Sequence, residues 1–365
     1  MSMDDVLSPL MEPGVNERSS TRAYTAITRT GIATPTFAPS SALSKEGESI
    51  LETLRDSPKA LGHLVRSWYQ SFGSMYPCGP LVRSCWTVVN DVLVQSLQDE
   101  SALVDLSILS KRMFKKTSQP LQWPHSPANG ALERELSMDG IRWDVVGIYF
   151  ALVGSAIGSV GDGNGIMDFT HEKWGPIQKA ARQRALQASM QCFTFCERVG
   201  QLNDLAMWLL INTTMLATWC YGDDSYQAWR LMGDLASLVS AVGFHRDAHD
   251  VQTTPRYLQE LRKRGMEWCH ELDKGLATFV GRPPRLYRRH YDLGAPLDVP
   301  EDVLLGSITD LQSAIEELDS EGWNKKGLVH PASRFRVQYK LITLREEALE
   351  LVLSHNEIDV SLQSK

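Results

Sequence analysis

From Val145 to Val160 the chain runs sixteen residues without a charge, and three of them are Gly147, Gly154 and Gly158. A segment apolar on every side must be buried on every side. Crossing a bilayer as a helix takes roughly 20 such residues, so this run points to a helix at the centre of a bundle, and no membrane partner is expected. The flanking sequence carries the matching pattern. Leu61, Leu64, Val65, Trp68 and Phe72 follow the i, i+3, i+4, i+7 spacing of one helical face. Leu231, Leu235, Leu238 and Val242 do the same, with Asp224 or Ser225 as the cap and Gly243 as the stop.

Read in this way, the chain is helical almost throughout. Pro80 opens a helix through Leu97, and residues 100–116 make another before the proline-rich loop QPLQWPHSPANG. The central helix covers Ile141 to Ile157, and Pro176 sits in the first turn of a helix reaching about Val199. Leu205, Trp208, Leu209, Asn212, Leu216 and Trp219 mark the next stripe, which Gly222 ends. Leu261, Trp268, Leu272, Leu276 and Phe279 mark another, halted by Gly281-Arg282-Pro283-Pro284, and two more helices follow over 301–320 and 331–354. No alternating apolar pattern bounded by hairpin turns is present. The expected fold is all-α: one large domain of about ten helices over residues 46–356. A disordered Ser/Thr/Pro-rich tail over 1–45 and a short tail over 357–365 flank it.

Charge narrows the function. There are 37 Lys plus Arg against 44 Asp plus Glu, a net charge of −7. Nucleic-acid affinity comes mainly from neutralising phosphates, so an acidic chain is a poor freestanding DNA binder. The six cysteines (78, 85, 192, 196, 220 and 269) are scattered through apolar segments, as free thiols in a reducing compartment would be. The opening MSMDDVLSPLMEP has no basic-then-apolar leader, which points to an intracellular protein.

The chemical motifs are incomplete. His245 and His249 stand four apart, a metal-ligand spacing on a helix, but Gly243 has already ended the helix and the sequence between them is Arg-Asp-Ala. In Gly161–Asp168 (GDGNGIMD), Met167 stands where a calcium loop needs its glycine, so an interhelical loop is expected. Asp223-Asp224 and Asn203-Asp204 do not complete the acidic clusters that hold Mg²⁺ against a diphosphate. No nucleophile elbow and no Cys–His pair is present. The reading therefore assigns no catalytic residue, no metal and no cofactor. The basic runs Lys111–Lys116 and Arg285, Arg288, Arg289, His290 are short, and the first is expected to be a solvated helix end or a weak nuclear import signal.

Three segments carry a family resemblance: Ile177–Asp204, Asp224–Asp247 (ending VGFHRD) and Arg262–Pro284 (RKRGMEWCHELDKGLATFVGRPP), the last followed by YDLGAPLDVPED. They resemble the middle homology region of fungal zinc-cluster transcription factors, continuously over about 140–310 and more weakly from about 50. Within the family pattern Arg262, Lys263 and Arg264 supply the basic cluster, Trp268 the aromatic, Asp273 the acid, and Gly281, Arg282 and Pro283 the closure. Arg282 is expected to pair with a carboxylate or to bond the last helical carbonyls, a lock at the helix end.

A zinc cluster needs six closely spaced cysteines, and the spacing Cys78, Cys85, Cys192 does not form one. The resemblance thus implies a nuclear regulatory module without its own DNA reader, sensing a metabolite or binding a partner regulator, with secondary metabolism as a setting. An upstream in-frame zinc-cluster exon would restore DNA binding. The alternative is a repurposed scaffold in the cytoplasm, acting as a cyclase- or isomerase-type enzyme or small-molecule binder around an apolar cavity between helices. A filled interior favours the regulator; a cavity lined by titrating groups favours chemistry.

Overall fold

A computed structural model of the protein describes residues 37–57, 60–72, 79–99, 101, 104–138, 140–158, 174–246 and 254–353. Among these residues there is no β-strand, only one isolated antiparallel bridge between Leu318 and Asn324. The helices are α1 (Ser41–Arg55), α2 (Ala60–Phe72), α3 (Gly79–Thr87), α4 (Leu106–Thr117), α5 (Ala131–Ser137), α6 (Trp143–Gly158) and α7 (Trp174–Arg198). They continue with α8 (Asp204–Tyr221), α9 (Tyr226–Val242), α10 (Arg256–Val280), α11 (Glu301–Leu304), α12 (Ile308–Glu316) and α13 (Pro331–Leu353). The all-α reading holds.

The charge-free run forms α6, which is buried continuously from Trp143 to Ala156 and packs against α2, α3, α4, α7 and α8. Its glycines explain how so many neighbours fit. A Cβ on Gly147 would lie 2.7 Å from a Leu209 methyl and 2.9 Å from the Cys192 Cβ. A Cβ on Gly154 would lie 2.5 Å from a Leu216 methyl. The two glycines are seven residues apart on one face, so α7 and α8 can close onto the α6 backbone itself. Ser189 fastens this junction: its hydroxyl donates to the Gly147 carbonyl (3.0 Å) and lies 2.7 Å from the Thr213 hydroxyl. At the other end Phe114, Trp143 and Phe195 meet with ring centroids 5.0–5.3 Å apart. The thiols of Cys85, Cys192 and Cys196 are free and buried here, and burial pushes each above its ordinary pKa.

Local signals set the helix ends. Ser40, Asp105, Asn203, Ser225 and Ser307 each accept a backbone N–H at a helix start. Such a cap stabilises a helix by about 1 kcal/mol. Gly243 (φ 80°) and Gly281 (φ 60°) close α9 and α10 in the left-handed region.

The structure corrects several boundaries. The expected tail to residue 45 is too long, because Ser40 caps α1 and Leu43 is already buried. The helix after Pro80 passes through a π-helical stretch, Val88–Val94, before its last turn, Gln95–Leu97. The segment read as 100–116 begins helically at Leu106, where Asp105 caps it. α5 was not anticipated, since seven residues are too few to show a period. The helix expected over 301–320 breaks into α11 and α12, with Ser307 capping the second. Finally, α8 is no one-sided stripe: it is buried all round from Asp204 to Ala217, while Trp219 is 45% exposed.

Candidate functional site

The chain beyond α10 turns back at Gly281 and, outside one short 3₁₀ turn (Arg288–His290), stays non-helical until α11. Such a segment has no ladder to satisfy its peptide groups, and where it is buried other groups must do so. The answer lies on α10, whose buried Glu260, Arg264, Glu267, His270, Asp273 and Lys274 recur at helical spacing. Asp273, fully buried, accepts the backbone N–H of Arg285 (2.9 Å) and of Leu286 (2.9 Å). Lys274 lies 3.0 Å from Asp273 and 3.0 Å from Glu346 of α13, and donates to the Leu286 carbonyl. Glu260 accepts the Leu297 N–H (2.8 Å), and Arg264 donates to the Val299 carbonyl (2.6 Å). Glu346 accepts the Arg288 N–H (3.0 Å). The side chain of Arg288 grips Glu267 through both oxygens (2.8 and 2.9 Å) and lies 3.5 Å from the Tyr339 ring centroid.

This ladder locates the residues read from sequence. Asp273 is its centre, but its partners are two backbone N–H groups and Lys274, and Arg282 is not among them. The Arg282 backbone N–H instead caps α10 on the Ala277 carbonyl (3.2 Å), while its guanidinium sits 5.4 Å from the Trp229 ring. Gly281 supplies the left-handed turn, and Pro283 is exposed just after it. Trp268 is buried on α10 and carries the Arg334 guanidinium 5.2 Å from its ring. Of the basic cluster, Arg262 pairs with Asp204 (2.6 Å) and Lys263 with Glu260 (2.9 Å). Of the pair His245 and His249, only His245 is described, beyond the end of α9; His249, Asp247 and the run Gly161–Asp168 lie outside the described residues. Glu267, His270, Lys274 and Glu346 were not singled out, because charged residues at helical spacing read as a solvated face.

Burial shapes the titration of this ladder. Desolvation raises Glu267 to about 7 against the pull of Arg288. His270 is packed edge-on to Tyr291 (4.7 Å) and is driven well below 6.5 by desolvation, then by the charges of Lys274 and Arg288. A depressed base binds fewer protons folded than unfolded, so its contribution is held above pH 6.5 and lost as the pH falls below it. Glu267 works in the opposite sense, gaining its proton earlier in the folded state. His270→Leu isolates the histidine. Between pH 6.5 and pH 5.5 the native protein is expected to lose up to about 1.4 kcal/mol more stability than the variant. Urea midpoints at the two pH values check this, and parallel losses would refute it.

The returning segment also reaches α9. Arg285 crosses Gly233, where a Cβ would lie 3.0 Å from its guanidinium, and stacks 4.1 Å from the Trp229 ring while donating to the Trp229 carbonyl. Trp229, Arg285, Gly233, Tyr226 and the paired Arg230 and Asp234 (3.2 Å) line an open groove of about 680 Å³. The basic residues after Pro284 are thus spent largely on stacking and pairing: Arg289 lies over Tyr287 (4.7 Å) and pairs with Glu350 (3.2 Å). Other grooves, of about 480 and 220 Å³, also open at the surface. No helix among the described residues is long and apolar enough to cross a membrane.

Residues 200–325 match the family model described as the fungal specific transcription factor domain. The match takes in α8 to α12, hence the groove and most of the ladder, and contains the second and third resembling segments whole. It holds only the last residues of Ile177–Asp204. No curated protein and no solved structure matches the chain. Over residues 200–325, then, this chain is similar to the fungal specific transcription factor domain.

Proposed function

We propose that the protein is a transcription-factor-like regulator that acts through its helical body. It senses a metabolite or binds a partner regulator in the nucleus, within a secondary-metabolite pathway, and does not grip DNA by itself. The observation that carries this reading is the domain match across residues 200–325. The groove on α9 is the contact site: a guanidinium stacked on an indole offers a flat apolar face and N–H donors together. Asp273 accepts the Arg285 backbone N–H, Lys274 donates to the Leu286 carbonyl and Arg282 flanks the Trp229 ring, so the segment that Gly281 and Pro283 open is held beside the groove, while Trp268 lies elsewhere on α10, against Arg334.

The test fuses the full chain to an unrelated DNA-binding domain and measures a reporter in a fungal host. The fusion is expected to change transcription several-fold relative to the bare DNA-binding domain, and Trp229→Ala to abolish that change at equal protein level. A fusion indistinguishable from the bare domain overturns the regulatory reading. An unchanged Trp229→Ala response moves the contact site elsewhere. Conversion of a metabolite by the purified protein would favour the enzymatic alternative.

A further inference from the structure

The last helix presents apolar residues on two opposite sides. Phe335, Ile342 and Leu349 are buried on one. On the other, Val337 (49% exposed), Leu341 (59%), Leu344 (61%), Ala348 and Leu351 (60%) form a row at spacings of four, three, four and three. Scattered exposed leucines are normal, but a continuous row at this spacing is the seam of a helix pair. α13 has 23 residues and is about 34 Å long, enough for four such layers.

From this seam we infer that α13 pairs with α13 of a second copy of this chain, side by side and antiparallel. The charges choose the occupant. Exposed Lys340 and Glu347 lie on the same edge of the row, two turns apart. A two-fold axis across the seam between Leu341 and Leu344 sets Lys340 against the other copy's Glu347, and repeats the contact by symmetry. The parallel arrangement sets Lys340 beside Arg345, two like charges. Arg345 flanks the opposite edge, out of register with its own copy across the axis; on α10, desolvation raises the pKa of Glu271, and the charges of Arg334 and then Arg345 partly offset that rise. The surface joins the groove of Trp323, Val329 and Arg334 at the start of α13, which extends the apolar area beyond the helix itself.

Sedimentation velocity on the full chain over a wide concentration range tests the pairing. A dimer is expected, and Leu341→Glu with Leu344→Glu is expected to give a monomer with unchanged far-ultraviolet circular dichroism, since both sites are exposed. Lys340→Glu alone should weaken the dimer about tenfold, and adding Glu347→Lys should restore it. A monomer at every concentration overturns the inference. So does a dimer indifferent to the two glutamates, and so does a double charge swap no tighter than the single one. Hydrogen exchange separates the reasons for a monomer: protection along the row would place another segment of this chain on it.

Discussion

Asp273→Ala is expected to lower the unfolding free energy by about 3–5 kcal/mol, the range for breaking a buried ion pair from one side. Three groups lose their acceptor at once: the N–H groups of Arg285 and Leu286 and the ammonium of Lys274. Lys274 is fully buried and would keep only Glu346 as a charged partner. Unsatisfied buried donors cost about 1–3 kcal/mol each, so even partial repacking leaves a large loss. Asp273→Asn keeps the shape and one acceptor oxygen, and should fall between the two. The local consequence is distinctive, because freeing Arg285 also frees the ring of Trp229. Equilibrium denaturation followed by tryptophan fluorescence reads both effects. A variant within 1 kcal/mol of the native protein would show that the returning segment is held by its apolar contacts, and that the ladder is incidental.

A loss of the same order, about 3–5 kcal/mol, is expected for Asp144→Ala. Asp144 opens α6 and pairs with Arg142 at 3.0 Å, both within the core at 0% and 1% exposure. Arg142 in turn donates to the carbonyls of Lys116 (3.1 Å) and Gln119 (2.8 Å), tying the end of α4 to the start of α6. Removing the carboxylate strands a guanidinium in the most apolar part of the molecule. Replacing both partners, as Arg142→Met with Asp144→Leu, removes the stranded charge and should recover more than half of the loss. It should not recover all of it, because the two carbonyls remain without their donor. Thermal and urea denaturation of the native protein and the two variants check the order. Were the double variant as unstable as Asp144→Ala, shape rather than charge would govern the site.

The helices were legible for a simple reason. A helix buried on one side writes a period of 3.6 into its sequence, and one buried on every side writes a run without charge; α2, α6 and α9 are such cases. Caps and stops were legible because Ser225, Gly243 and Gly281 act on backbone groups a few residues away. Misreadings arose where the partner is distant. Trp219 looks like a stripe residue until the chain around it leaves that turn of α8 uncovered. Lys274 and Glu267 look solvated until the segment from Arg285 to Val299 lies over them.

What the amino-acid order determined alone is therefore the local and periodic part: helical class, most helix positions, and the likeness to a family of regulators that the family model matches over residues 200–325. What only the tertiary structure decided is which polar groups meet. Asp273 takes backbone N–H groups twelve and thirteen residues on and leaves Arg282 to the Trp229 ring. A buried peptide group accepts whichever donor or acceptor the packing brings within 3 Å, and that proximity is set by the path of the whole chain rather than by the spacing of any two residues along it.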